Sequence, residues 1–233
     1  MNNIYCHRGL YNNNNKTIEN TIPAFKKALL RKLPIELDIR LTKDNVIVVF
    51  HDDTLERLTK GRNKKQVREL TYQELRVIKL LDEDIYIPTL KEVLSLIEGE
   101  VALLIEIKKV DNYTLLFREL DKLLLEYNGL ISIESFDPFL FSKLAKTSLN
   151  RYKKGLLITD RNKGLKKYLN HLFIYHYFIK KADLDFLAVP KSLISVTEKS
   201  SNLPLFIWTV KTKEEYLKYS QKNYTLICDE RAL

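Results

Sequence analysis

Two segments decide the fold of this chain: Ile35-Glu36-Leu37-Asp38-Ile39-Arg40 and Ile105-Glu106-Ile107-Lys108. Each alternates ionisable and apolar residues within a short β-type run. In a strand, residues two apart share a face, so the ionisable side chains lie together while the isoleucines point the other way. Carboxylates in a site with little water need a positive partner, and a hard divalent cation is the simplest one. The pattern predicts strands that carry a functional site.

Buried ion pairs involving Arg40 or Lys108 are the alternative explanation for these acids. Two histidines favour a functional site instead. His7, which precedes Arg8 and Gly9, and His51, which precedes Asp52, both lie at the ends of β-type runs. Ionisable groups gathered at several strand ends exceed what ion pairing usually requires. We therefore predict a metal-assisted phosphate site.

The composition predicts a single domain over residues 1–233. The chain is 45% hydrophobic, contains only six glycines and six prolines, and shows no linker-like segment. Two cysteines, Cys6 and Cys228, do not make a disulfide framework, which favours a reduced compartment. No apolar stretch approaches the ~20 residues of a membrane helix, and no signal peptide fits before His7. A cytoplasmic location is the resulting prediction.

The net charge of +9 favours anionic partners. Basic patches lie at residues 151–154 and 163–167, where they predict at most weak contact with an anionic membrane surface. No nucleic-acid-binding motif is visible, so we predict no nucleic-acid partner. A compositional bias of the source is the alternative explanation for the many lysines. His171 and His176 flank an aromatic run outside any motif and receive no assigned function.

β-type runs alternate with segments of helical period, which predicts parallel βα units in a (β/α)8 barrel. Nine strands are predicted, one more than such a barrel holds, so the run at 46–50 is either a hairpin continuation or the third barrel strand. The strands are expected at residues 4–6, 35–40, 46–50, 102–107, 131–135, 155–158, 186–189, 205–209 and 226–228. The helices are expected at residues 21–31, 72–78, 90–97, 113–127, 138–145, 165–172 and 213–221.

A series of short motifs runs along nearly the whole chain. They are His7-Arg8-Gly9, Glu19-Asn20-Thr21, Glu36-Leu37-Asp38, His51-Asp52, Ile87-Pro88-Thr89-Leu90, Ile105-Glu106-Ile107-Lys108, Ser135-Phe136 and Trp208-Thr209-Val210. In order and spacing this series resembles the glycerophosphodiester phosphodiesterases. The resemblance implies a (β/α)8 TIM barrel, a divalent metal ion (Ca²⁺ or Mg²⁺), and hydrolysis of a small phosphodiester to an alcohol and glycerol 3-phosphate.

The resemblance also implies roles for individual residues. The acids that match the family's metal ligands are Glu36, Asp38 and Glu106. His7 and His51 match its acid/base pair, a task suited to imidazoles near neutral pH. Arg8 and Lys108 would neutralise the phosphoryl oxygens, or else form ordinary surface ion pairs. Trp208 would form a wall of the substrate pocket, with barrel filling as the alternative.

Three further acids or amides have two explanations each. Glu19 and Asn20 would either close the site or cap the following helix, and Asp52 would either orient His51 or cap a turn. Residues 53–88 match the place of a family insertion that roofs the pocket, and the insertion is short here.

Departures from the family pattern bear on the substrate. Ile18 stands where a proline is expected, and no glycine precedes the segment at Ile35. The predicted function is metal-dependent hydrolysis of glycerophosphodiesters. The alternatives are phospholipase D-like cleavage of lysolipids with cyclic phosphate formation, and a non-catalytic phosphate-binding barrel.

Overall fold

Nine β-strands form one sheet in the structure, a computed structural model that describes residues 4–13, 17–160 and 183–233. The strands are β1 (Ile4–Cys6), β2 (Ile35–Leu41), β3 (Ile47–Val49), β4 (Leu103–Ile107), β5 (Ile131–Ser135), β6 (Lys153–Leu157), β7 (Phe186–Pro190), β8 (Leu205–Val210) and β9 (Thr225–Cys228).

The sheet closes into a barrel because β1 pairs in parallel with both β2 and β9. Eight strands run parallel around it, in the order β1, β2, β4, β5, β6, β7, β8 and β9. β3 stands outside this ring and pairs antiparallel with β2, with Ile39 opposite Val49. The predicted (β/α)8 barrel is confirmed, and the run at 46–50 is the hairpin continuation rather than a barrel strand.

Helices connect the strands, and their starts follow the expected chemistry. Thr89 forms a capping box with Glu92, and Asp137 accepts a hydrogen bond from the backbone N–H of Phe139. Each such cap stabilises its helix by about 1 kcal/mol. The described helices are α1 (Ile22–Leu30), α2 (Tyr72–Leu75), α3 (Leu90–Ile97), α4 (Tyr113–Leu125), α5 (Pro138–Leu144), α6 (Ile194–Ser200) and α7 (Lys213–Ser220).

The helix α6 is absent from the sequence prediction. It has no side-chain cap, and β-branched residues such as Val196 lower its intrinsic helix propensity. It forms because Ile194 and Thr197 are buried against the barrel, a tertiary effect that local propensity does not show. The helix predicted at 165–172, the basic patch at 163–167, and both His171 and His176 lie outside the described residues.

Two apolar regions hold the barrel together. The larger lies between the outward faces of the strands and the helices. A smaller one inside the barrel contains Leu104, Leu157, Phe186, Ala188 and Ile227. Gly155 on β6 makes room for it, because a Cβ atom there would lie 2.1 Å from the Phe186 ring. Of these five residues only Leu104 lies on β2, β4 or β5, so most of the apolar filling comes from other strands.

The insertion at 53–88 carries its own small core. Leu55, Leu58, Val67 and Leu75 pack with Val48 of the β3 hairpin and form a cluster separate from that of the barrel. The insertion therefore rests on the hairpin side of the barrel. Arg57 belongs to this insertion and lines a cavity at the carboxyl ends of the barrel strands, called the central cavity below.

Candidate active site

Strand register brings four carboxylates together inside the barrel. Asp38 on β2 is opposite Glu106 on β4, which is in turn opposite Glu134 on β5. Paired residues of parallel strands point to the same side, and Glu36, two residues before Asp38, shares that face. Each of the four side chains is less than 10% exposed. The interior of one barrel sector is therefore lined by acids.

Three of these acids form a tight group. One carboxylate oxygen from each of Glu36, Glu106 and Glu134 lies within 4.8 Å of the others. Burial and the neighbouring negative charges raise the pKa of Glu36 and of Glu134 well above the usual range. Burial raises the pKa of Glu106 to about 7, although Lys108 opposes the shift. Hard oxygen donors held this close fit a divalent cation.

The predicted ligand Asp38 has a different environment. Burial alone would raise the pKa of its carboxyl, but Lys108 and Arg8 hold that pKa well below the usual range. The Nζ atom of Lys108 lies 2.6 Å from Oδ1, and Asn20 donates a hydrogen bond of 2.7 Å to Oδ2. Both oxygens of Asp38 are thus engaged by protein groups. Its role as a metal ligand stays a prediction.

Glu134 was missed in the sequence, although a signal for it was present. The segment Ile133-Glu134-Ser135 repeats the placement of an acid inside an apolar strand seen in Ile105-Glu106-Ile107. The register between β4 and β5 places Glu134 beside Glu106. Register between strands is a tertiary property that the local sequence does not show.

The Arg8 backbone and side chain both face the acids. Its φ angle is 56°, a left-handed conformation that directs the backbone N–H to donate a 2.8 Å hydrogen bond to Oε2 of Glu36. Gly9 follows with a φ of 80°, and a Cβ atom there would lie 3.0 Å from Ala24 and Phe25. The close turn therefore requires glycine at this position.

Lys108 and Arg8 act as the cations of the site. Lys108 is 2.5 Å from Oε1 of Glu106 as well as close to Asp38. Arg8 donates a 2.7 Å hydrogen bond to Oε1 of Glu19. The structure therefore brings both predicted phosphate-binding residues to the carboxylate cluster, where each is paired with acids.

Each predicted acid/base histidine has a carboxylate partner. Nδ1 of His7 lies 2.7 Å from Asp229, and Nδ1 of His51 lies 2.6 Å from Asp52. Burial lowers the pKa of both histidines, although the hydrogen bonds to aspartate oppose the shift. A neutral imidazole must donate Nδ1–H to an ionised aspartate, which leaves Nε2 as the proton acceptor. Asp52 thus contacts the His51 ring, as the first of its two predicted explanations requires, and Asp229 makes an equivalent contact with His7 that the sequence did not reveal.

Glu19 joins the insertion to the site. Its carboxylate accepts hydrogen bonds from Arg8, Asn13 and two nitrogens of Arg57. Burial would raise the pKa of Glu19, but the Arg57 hydrogen bonds and the charge of Arg8 bring it to about 2. Thr21, not Glu19 or Asn20, occupies the N-cap of α1. Neither residue caps the helix, and their side chains instead contact Arg8, Arg57 and Asp38.

A cavity of about 580 Å³ opens among these groups. Trp208 forms part of its wall, and the ring of Phe136 meets the Trp208 ring edge to face at 5.5 Å between centroids. Aromatic rings and charged side chains therefore both line this cavity. The cavity is bordered by His7, Arg8, Glu36, His51, Trp208 and Asp229, with other residues.

Comparison with known proteins identifies the family of this chain. The model of the Glycerophosphoryl diester phosphodiesterase family matches residues 7–229. The chain belongs to this family. Among curated family relatives, a glycerophosphodiester phosphodiesterase of Caldanaerobacter subterraneus subsp. tengcongensis is 32% identical over 231 residues, covering 91% of this chain and 87% of the relative.

Solved structures of similar proteins share the barrel. A glycerophosphodiester phosphodiesterase from Thermotoga maritima has a TM-score of 0.73 at 26% identity, covering 100% of this chain and 96% of that one. A phosphodiesterase from Oleispira antarctica, solved with the product sn-glycerol-3-phosphate, has a TM-score of 0.76 at 19% identity and covers 98% and 93% of the two chains. At this identity, the similarity to the Oleispira antarctica structure shows that the two chains share a fold.

Family membership confirms the predicted family and the predicted enzyme class, a phosphoric diester hydrolase. Among the helices in the three described ranges, none has the length and apolar character needed to cross a bilayer.

Proposed function

We propose that this family member hydrolyses small glycerophosphodiesters to an alcohol and glycerol 3-phosphate with the help of a divalent ion, Ca²⁺ or Mg²⁺. The observation that carries the proposal is the meeting of two histidine–aspartate pairs and a buried carboxylate cluster at one cavity. The bound product in the Oleispira antarctica phosphodiesterase supports the choice of glycerol 3-phosphate as product.

Glu36 and Glu106 would hold the ion, because their buried carboxylate oxygens converge. Asp38 is the third predicted ligand and would have to exchange its ion pair with Lys108 to reach the ion. When bound, the ion would polarise a phosphoryl oxygen and neutralise negative charge.

His7 and His51 would carry the proton transfers. One Nε2 atom accepts the proton of the attacking hydroxyl, while the other histidine, protonated beforehand, donates to the leaving alkoxide. Asp229 and Asp52 stabilise the imidazolium form of each ring through the Nδ1 hydrogen bond. The attacking hydroxyl is either water or a hydroxyl group of the substrate itself.

Arg8 and Lys108 would neutralise the phosphoryl oxygens of the substrate. Arg8 lines the cavity, and its guanidinium, which already bonds Glu19 through Nη1, would turn further N–H donors to a phosphate. Trp208 and Phe136 would pack against the carbon atoms of the glycerol or the head group. The charged and apolar walls together fit an amphipathic small molecule.

Lysolipid cleavage is the second candidate function, and one observation favours it. Phe136 and Phe139 are 41% and 62% exposed, and both border a groove beside the central cavity. These rings offer an apolar surface where an acyl chain would leave the cavity. The volume of the central cavity matches a soluble diester, so we propose the soluble substrate first.

A direct competition tests this choice. The purified chain is given glycerophosphocholine, glycerophosphoethanolamine and lysophosphatidylcholine separately, at equal concentration and over a range of salt concentrations. We expect faster cleavage of the soluble diesters at physiological salt, because screening weakens attraction to a lipid surface but not recognition inside the cavity. Faster cleavage of the lysolipid would replace the soluble-substrate proposal. Binding without cleavage of any diester would favour the phosphate-binding barrel.

We also propose that residues 1–233 act as one domain in the cytoplasm. In support, Cys6 and Cys228 are free, buried thiols although their strands are direct neighbours. Burial raises the pKa of each thiol to about 12, which keeps both unreactive. The basic surface would give at most weak contact with anionic membranes.

A further inference from the structure

Glu134 occupies a central position in the carboxylate cluster. It lies between Glu106 on β4 and Gly155 on β6, and its side chain is 1% exposed. Because Gly155 has no side chain, Glu134 has no polar neighbour from β6 at its own level. The side chain borders the central cavity together with Glu36 and Glu106.

One oxygen of the Glu134 carboxylate differs from its neighbours in its contacts. Its Oε2 atom is buried and unpaired among the described residues. The cation of the cluster, Lys108, is engaged by Asp38 and Glu106 instead. Lys154, on the adjacent strand, pairs with Asp185. Within the described ranges, no ion pair compensates Glu134.

A purely structural role would leave this oxygen unsatisfied in either protonation state. An ionised carboxylate would be a buried charge without a partner, and a neutral acid would have a buried hydroxyl without an acceptor. A ligand that accepts electron pairs from the Glu134 carboxylate, together with the nearby oxygens of Glu36 and Glu106, would remove both problems. A hard divalent cation has this property, since it prefers carboxylate oxygens.

We propose that Glu134 is a direct ligand of the divalent cation and completes a three-carboxylate site with Glu36 and Glu106. The inference rests on the metal ion of the proposed function and adds a ligand from β5 to it. Ligation by Glu134 would not require Asp38 to leave its ion pairs with Lys108 and Arg8. Strands β2, β4 and β5 would each supply one ligand.

The test is a measurement of metal affinity rather than activity. Ca²⁺ and Mg²⁺ are titrated by calorimetry into chelator-treated wild-type chain and into Glu134→Gln, whose folding is checked by circular dichroism. We expect Glu134→Gln to weaken the affinity at least about 10-fold, a loss typical of altered metal sites. The control is Asp229→Asn, which removes an acid of the same cavity that contacts His7 rather than the cluster. It should retain affinity close to that of the wild type.

Thermal unfolding gives a second readout. Added Ca²⁺ or Mg²⁺ should raise the Tm of the wild type, and the rise should be smaller for Glu134→Gln and Glu134→Asp. Because the aspartate variant keeps the charge with a shorter side chain, it tests ligation if the glutamine variant does not fold. An unchanged affinity in either folded variant would overturn the inference and leave the proposed function intact. Failure of the wild type to bind either ion would overturn the inference together with the metal part of the proposed function.

Discussion

His7 and Asp229 are 222 positions apart in the chain, yet Nδ1 of His7 lies 2.7 Å from Oδ1 of Asp229. The contact exists because β1 and β9 pair in parallel and both residues follow their strand ends. Closure of the barrel therefore orients an acid/base group. A similar arrangement at His51 uses the adjacent residue Asp52 and needs no long-range pairing.

Asp229→Asn should lower kcat about 10- to 100-fold and change KM little, since the amide cannot stabilise an imidazolium as a carboxylate does. The hydrogen bond that His7 makes to Asp229 raises the pKa of His7 against the effect of burial. The variant should therefore show a lower His7 pKa when the ring proton is titrated by NMR. A normal kcat with an unchanged His7 pKa would show that Asp229 does not position His7 for catalysis.

Local patterns were sufficient to predict most of the fold. Apolar β-type runs identified all nine strands, and the caps at Thr89 and Asp137 identified the starts of α3 and α5. The helix α6 was missed because burial, not propensity, stabilises it. Local sequence patterns predict individual strands and helices, but they do not predict the register between strands.

The site was predicted less completely than the fold. The motif histidines and the acids Glu36, Asp38 and Glu106 do converge in space. Glu134 and Asp229 were missed because strand register and barrel closure create their contacts. The bond of Glu19 to Arg57 likewise depends on how the insertion packs. Such contacts are tertiary, and no local spacing encodes them.

His7→Ala and His51→Ala should each lower kcat by about 10²-fold or more, the scale of general acid/base catalysis. Neither ring is part of the carboxylate cluster, so metal affinity should stay near the wild-type value. Steady-state kinetics and metal titration on the same preparations separate the two effects. Near-normal turnover in either variant would remove that histidine from the mechanism.

Glu36→Gln should weaken Ca²⁺ or Mg²⁺ binding at least about 10-fold while the chain stays folded. The amide keeps the shape of the side chain and removes one of three converging charges. Glu119→Gln is the matched control, because Glu119 lies on α4 and pairs with Lys122. Equal affinities in the two variants would place the ion elsewhere.

Glu19→Gln should destabilise the chain at neutral pH, and the difference from wild type should shrink in acid. The pKa of Glu19 is about 2 in the folded chain against 4.5 for the ordinary side chain. A depressed folded-state pKa contributes stability above pH 4.5 that is lost as the pH falls toward 2. The contribution at neutral pH is about 3 kcal/mol.

Urea unfolding of wild type and Glu19→Gln between pH 7 and the acid range measures this difference. Glu83→Gln, at a partly exposed acid of the same insertion, serves as the control. A difference between wild type and Glu19→Gln that does not change with pH would contradict the ionised state of Glu19.

The central claim is metal-dependent hydrolysis of a glycerophosphodiester, and release of glycerol 3-phosphate from glycerophosphocholine tests it most directly. The product is followed by ³¹P NMR with untreated chain, with excess chelator, and after Ca²⁺ or Mg²⁺ is restored. The account predicts steady release, loss of release in chelator, and recovery with at least one of the two ions. Undiminished release in excess chelator, or no release under any of these conditions, would contradict it.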